Sequence, residues 1–213
     1  MAVIEGGGTA ALQEVDTTFK AARATLRPFE CLSWNSVGAA TGLLTTVAAA
    51  GAIFSLRNIG ANPLIIRRLG IGFVTTTAFT AAQRLEFSLA IARSFSASDT
   101  GGTAIALTGN NCKHRTSLGT VTSIDCRIAT TAALTGGTKT LDTNRMGYQA
   151  FWAGAIGATL LVVPDNLLSH NAGDYPIVLA QNEGFNVVNE VVMGAAGVGV
   201  AYINMEFAEA TSF

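Results

Sequence analysis

Apolar and polar positions alternate most clearly in three stretches of the chain. Near the end, Ile203, Met205 and Phe207 alternate with Tyr202, Asn204 and Glu206, the period-two pattern of a strand with one inward face. In Leu64–Phe73, Ile65, Leu69, Ile71 and Phe73 share a face with Arg67, while Leu64, Ile66 and Arg68 share the other with Gly70 and Gly72. Both faces are largely apolar, as in a strand held inside a core or against a neighbour. Leu85, Phe87, Leu89 and Ile91 alternate with Glu86, Ser88, Ala90 and Ala92, a core face backed by a face of mostly small residues. From Tyr175 to Phe207 the runs Pro176–Gln181, Phe185–Met193 and Val198–Phe207 are punctuated by Asn182-Glu183-Gly184 and Gly194-Ala-Ala-Gly197. That spacing predicts three strands and two turns, a β meander closing a sandwich.

Shorter signals fill in the rest. Phe29–Trp34, Leu43–Val47 and Ala52–Arg57 read as strands, Asn58–Pro63 as a turn, and Val121–Thr130 as a surface strand. Ser94–Ser117 reads as a long polar loop, Thr135–Thr140 as a turn, Thr159–Val163 as a buried strand, and Pro164–Asp174 as a loop. Met146–Ala153 carries Tyr148, Phe151 and Trp152. Val15, Phe19, Ala22 and Leu26 fall at roughly helical spacing before Pro28, so Leu12–Leu26 is either a short helix or an extended strap. The expected fold is all-β, a jelly-roll-like antiparallel β-sandwich over residues 28–213 preceded by an N-terminal arm, residues 1–27.

Composition changes this picture in one respect. Charged residues make up 13% of the 213-residue chain, 49% is hydrophobic and mean hydropathy is +0.41, against about 25% charged for an average globular domain. So apolar a coat implies cover by other copies or another protein, and an obligate homo-oligomer is expected. Net charge is −1 and the pI about 6.1, which leaves no broad basic field for nucleic acid or an anionic membrane. Ten arginines to three lysines suit geometrically fixed interface pairs. Cys31–Leu56 is uncharged and contains Gly38-Ala-Ala-Thr-Gly42, a small-residue pattern seen in membrane spans. It is poor in large aliphatics and interrupted by Asn35 and Gly51, so strands with small side chains are expected there, with no membrane partner. The opening Met1–Gly8 lacks the basic and apolar regions of a secretory signal, and synthesis in the cytoplasm is expected.

The candidate chemistry is thin. Cys31, Cys112 and Cys126 have no paired spacing, and Cys112, His114 and Cys126 match no zinc pattern, so inert thiols and no metal are expected. Asp99 with Gly101 offers one carboxylate, too little for calcium. Lys113, His114 and Arg115 are the compact basic patch and read as a solvated loop tip. Ser169 and His170 with Asp165 or Asp174 supply triad residue types inside one polar loop and without a nucleophile elbow. Gly194–Gly199 has the wrong glycine spacing for a dinucleotide fingerprint. The expectation is a protein that is not an enzyme and has no cofactor.

Thr18-Phe-Lys-Ala-Ala-Arg-Ala-Thr-Leu-Arg-Pro28, Ala90-Ile-Ala-Arg-Ser-Phe-Ser-Ala-Ser-Asp-Thr-Gly-Gly-Thr-Ala104, Leu107-Thr-Gly-Asn-Asn111 and Tyr175-Pro-Ile-Val-Leu-Ala-Gln-Asn-Glu-Gly-Phe185 resemble a family of tailed-bacteriophage virion structural proteins. That resemblance spans most of the chain and carries over no catalytic residues. It implies a place in the virion; taken with the apolar, weakly charged coat, the expected role is that of a capsid decoration or cement protein, trimeric and in contact with the major capsid protein or other virion proteins. A tail or head-fibre component, or a glycan- or receptor-binding virion module using the 94–117 loop with Tyr148 and Trp152, is the alternative. The residues expected at interfaces are Phe19, Arg23, Arg67, Arg68, Tyr148 and Trp152.

Overall fold

A computed structural model describes residues 31–154 other than 108, 111 and 122, residues 165–169 and 176–211, and four two-residue strands nearer the start. Those four form two small antiparallel pairs: β1 (Glu5–Gly6) with β2 (Ala11–Leu12), and β3 (Val15–Asp16) with β4 (Ala21–Ala22). Val15 and Ala22 face each other as strand partners, which excludes the short helix at these residues. Phe19 and Arg23 lie outside the described residues, as does the strand expected over residues 159–163.

The remaining strands form two antiparallel sheets. One is ordered β14 (Asp165–Ser169), β8 (Leu64–Thr77), β17 (Val198–Ala210), β5 (Cys31–Ala40). To it β15 (Ile177–Leu179) adds beside β8, and β6 (Leu44–Thr45) beside β17. The other is ordered β10 (Thr103–Ala104), β11 (Ile124–Ile128), β7 (Gly51–Asn58), β16 (Gly184–Asn189), β9 (Gln83–Thr100), β12 (Thr135–Leu141), with β13 (Gly147–Ala153) also on β9. Along the chain β5, β7, β8 and β9 alternate between the two sheets, and β16 and β17 then insert one into each, β16 between β7 and β9 and β17 between β8 and β5. This order is that of a double-sheet jelly roll, as the sequence led us to expect. Phe73 from the first sheet meets Phe87 and Phe151 from the second at centroid distances of 5.8 and 6.4 Å. Each such ring, fully buried, stabilises the fold by roughly 1.5–3 kcal/mol.

The three C-terminal strands exist, but they are not a meander. β15 pairs with β8, β16 sits between β7 and β9, and β17 between β8 and β5. None of the three pairs with another. A period of two reports which side a residue faces, and it is silent about which strand lies next door.

The alternation in Leu64–Phe73 also breaks. Across β8 and β17, Glu206 pairs with Arg68 but Phe207 pairs with Ile66, so Arg67 is the extra residue of a β-bulge. The bulge reverses the phase: Leu64 and Ile66 join Leu69, Ile71 and Phe73 in the core, while Ile65 is buried outside that cluster. Arg67 is thereby taken off the core face.

Strand β9 is the largest departure from expectation. It continues past Ser94 to Thr100, where a loop was expected, and its partner β12 occupies the expected turn at Thr135–Thr140. Its first half pairs with β13 on one side and β16 on the other. Its end, however, turns through Gly101 and Gly102 into β10, on the far edge of the same sheet. Four strand spacings, about 19 Å, separate β9 from β10, so the second half of β9 crosses the outer face of the sheet. Two bulges bend it on the way, since Ser96 and Arg93 have no partner of their own on β12. Gly136 and Gly137 take φ of +69° and +72°, which is how a glycine pair reads as a turn and yet lies in a strand.

The expected loop at Pro164–Asp174 holds strand β14 over Asp165–Ser169, hydrogen bonded to Arg68–Ile71 of β8. Val121–Thr130 is a strand only over Ile124–Ile128.

Candidate interaction surface

Strand β13 stands on the edge of the second sheet. β12 follows β9 across the outer face, while β13 pairs with Gln83–Leu89 and stays in the plane. Alternation along β13 sends Phe151 and Ala153 into the core and turns Tyr148, Ala150 and Trp152 outward, with Met146 just ahead of them. Tyr148 is 56% exposed, Trp152 61% and Met146 51%. Gly147 faces inward where a Cβ would lie 2.3 Å from the carbonyl oxygen of Leu167, so the edge fits closely against β14 of the other sheet. Across from Trp152 and Ala150 stand Arg84 and Glu86, joined by an ion pair of 2.9 Å.

A second cluster lies on the outer face of the first sheet. Trp34 of β5 stacks on His114 with ring centroids 4.6 Å apart, and its indole N–H donates to Glu206 at 2.9 Å. The Arg67 guanidinium lies 5.9 Å from the indole centroid, a cation–π distance. Arg68 sits in register with Glu206. His114 Nε2 and the Ser36 hydroxyl share a hydrogen bond of 2.6 Å. The segment 112–119 comes to Trp34 because it lies along the free edge of β5: Ser36 N–H donates to Cys112 O, His114 N–H to Trp34 O, and Gly119 N–H to Leu32 O. An exposed sheet edge is covered in this way.

A third cluster lies beneath the crossing half of β9. The Asp99 carboxylate, 2% exposed as a residue, is paired with the Lys139 ammonium and accepts a hydrogen bond from Asn186 Nδ2. Arg57 donates to Ser98 Oγ at 3.1 Å, and Lys139 also lies 5.1 Å from the Phe95 ring centroid. This cluster is structural. Asp99 is already neutralised by its lysine, so it is no cation ligand.

Two of the four described interface candidates, Arg67 and Arg68, fall in the Trp34 cluster, and the other two, Tyr148 and Trp152, on β13. The 94–117 segment is not brought to Tyr148 and Trp152: β13 pairs with the first half of β9, and residues 112–119 lie on β5 in the other sheet. Lys113 is no bare loop tip, since its ammonium donates to Leu118 O at 2.9 Å and ties the loop together. Cys112 is exposed and Cys126 is buried in β11. Burial first, and then the Asp125 charge, push the Cys126 thiol pKa far up. Among the described residues no group of three or more His, Cys, Asp and Glu side chains gathers as a metal site, and no helix is long and apolar enough to cross a membrane. His170 and Asp174 lie outside the described residues.

Sequence reading did not find the Trp34–His114 stack or the Asp99–Lys139–Asn186 cluster. Both join residues more than 35 positions apart, across pairings that no local pattern encodes. One signal was available: two lysine and aspartate charges inside stretches otherwise made of Ser, Thr, Ala and Gly. Compared with known proteins, the chain matches no family model, no curated protein and no solved structure.

Proposed function

We propose that the protein is a non-enzymatic structural component of a tailed-phage virion, a capsid decoration or cement protein that steadies the shell by packing against its own copies and the major capsid protein. The observation that carries this reading is the concentration of bare apolar surface on a weakly charged chain. Met146, Tyr148 and Trp152, each more than half exposed, lie on β13 or just ahead of it. Large exposed apolar patches mark interaction sites, and aromatic side chains dominate interface hot spots. The jelly-roll architecture is compatible with this and does not single it out, since capsid domains, lectins and cupins share it. The phrases that resemble virion structural proteins supply the biological setting.

The test is a count of copies per purified particle relative to the major capsid protein, with the solution mass of the isolated protein. A fixed stoichiometry on the head, an oligomer in solution and lower heat resistance of particles stripped of it are expected. A monomer whose removal leaves particles equally resistant would falsify the proposal, and labelled-particle microscopy separates a shell position from a tail or fibre position.

The exposed Tyr148 and Trp152 side chains favour one second reading, a glycan-binding virion module, because flat aromatic faces stack on sugars. Glycan-array binding that is abolished by Trp152→Ala would support it.

A further inference from the structure

Strand β13 combines three properties that an exposed edge of a monomer avoids. Its sequence, Gly147-Tyr-Gln-Ala-Phe-Trp-Ala153, contains neither a charged residue nor a proline, the two usual guards against edge-to-edge pairing. Its outward face is an apolar stripe, as described above. Its pairing with β9 is regular over all seven residues, with no bulge to twist the edge away. In an antiparallel pair alternate backbone N–H and C=O groups point away from the partner strand, so β13 offers a row of them along its other side. No described strand pairs with that side.

We propose that β13 pairs antiparallel with β13 of a second copy, about a twofold axis passing beside Ala150. This rests on the reading above that the chain packs against its own copies, and specifies a twofold contact where the sequence led us to expect a trimer. The arrangement is self-complementary. With Ala150 opposite Ala150, Tyr148 of each copy falls opposite Trp152 of the other, two equivalent aromatic cross-strand pairs flanking a small residue at the axis. An isologous contact requires such a patch. Charge does not oppose it there: Arg84 and Glu86, one strand back from Trp152 and Ala150, pair with each other at 2.9 Å. The aromatic pairs supply a few hundred Å² per copy, roughly 150–250 Å² for each ring. A stable dimer needs about 800 Å² per partner, so the strand, with Met146 just ahead of it, forms the centre of the contact and not the whole of it.

The experiment uses the full chain with Cys112, the exposed native thiol, replaced by serine. Across the axis the two Ala150 Cα atoms of an antiparallel pair lie about 4.5–5.5 Å apart, within disulfide range. Ala150→Cys is therefore expected to give a covalent dimer under mild added oxidant, and Thr138→Cys on the ribbon is expected not to. Tyr148→Lys with Trp152→Lys is expected to lower the solution mass, by light scattering, while leaving the circular dichroism and melting temperature unchanged. Cross-linking at Ala150 no faster than at Thr138, or an unchanged oligomer in the double-lysine variant, overturns the contact and leaves the oligomeric reading standing. A wild-type monomer at all concentrations overturns both, and a Trp152 emission change on adding an oligosaccharide to that monomer would assign the stripe to glycan instead.

Discussion

Asn186 donates a hydrogen bond of 2.9 Å to Asp99 while pairing, as a strand residue, with Ala90, nine positions earlier in the strand that carries Asp99. Both can hold only because β9 folds back over its own sheet. The carboxylate then sits buried against Lys139 as the clasp of the crossing ribbon, and removing one member of a buried pair leaves the other charge stranded. Asp99→Ala should cost about 3–5 kcal/mol in urea unfolding, and Asp99→Ala with Lys139→Met should cost less than Asp99→Ala alone. Equal costs would mean that Lys139 reaches water without its partner.

At Gly184 of β16 the Phe95 ring from the crossing half of β9 packs directly on the backbone. A Cβ there would lie 2.1 Å from Leu56 O and 2.8 Å from the Phe95 ring. Because one of the two obstacles is backbone, the clash cannot be relieved by a rotamer change alone. Gly184→Ala should lower stability by about 1–3 kcal/mol, seen as a fall in the denaturation midpoint with unchanged slope.

Burial alone would raise the Glu190 carboxyl pKa, but hydrogen bonds from Arg145 and Ser88 and the Arg145 charge outweigh it and hold the group below its ordinary 4.5. The folded form therefore binds this proton less readily than the unfolded chain. Its stabilisation is fully present above the unfolded value of 4.5 and is lost as pH falls through the lower folded value. Glu190→Gln should cost about 1 kcal/mol at pH 7, a difference that shrinks as denaturation is measured at successively lower pH below 4.5. A gap independent of pH would remove the charge from the explanation.

The three thiols should react in an order set by exposure. Cys112 is exposed, Cys31 half-buried and Cys126 buried, and burial raises the Cys31 thiol pKa and, more strongly, that of Cys126. With an aromatic disulfide reagent at pH 8, Cys112 should react first, Cys31 more slowly, and Cys126 only in denaturant. Rapid release of a third equivalent from folded protein would show that β11 opens readily.

The fold class was legible because alternation in Leu85–Ile91 and Ile203–Phe207 is a direct image of a two-faced strand. What alternation cannot carry is the identity of the neighbour: β15, β16 and β17 read as a meander, yet β15 pairs with β8, β16 lies between β7 and β9, and β17 between β8 and β5. Thr135-Gly-Gly-Thr reads as a turn because paired glycines favour one, and Gly136 and Gly137 do have turn-like φ; the partner strand, and not local preference, makes them part of β12. Arg67 misled in the opposite sense: a strict period put it on the core face, and a single bulge moved it beside Trp34. Tyr148 and Trp152 are named from the sequence only as interface candidates; that they share the exposed face of a strand whose Phe151 faces in comes from the structure. Trp34 is not among those candidates, because its partner His114 lies in a segment with no pattern of its own.

The placement of β17 between β8 and β5 has a consequence for how the polypeptide is made. On the ribosome β5 and β8 emerge well before β17, and a gap one strand wide stays open between them until residues beyond Ala210 have been added. Until then the nascent chain exposes two long strand borders, so closure waits for the end of this region's translation, and contacts between residues so distant in sequence form slowly. Chains halted before Val198 should be captured by chaperones or proteases, and temperature-sensitive lesions should gather in the final strand.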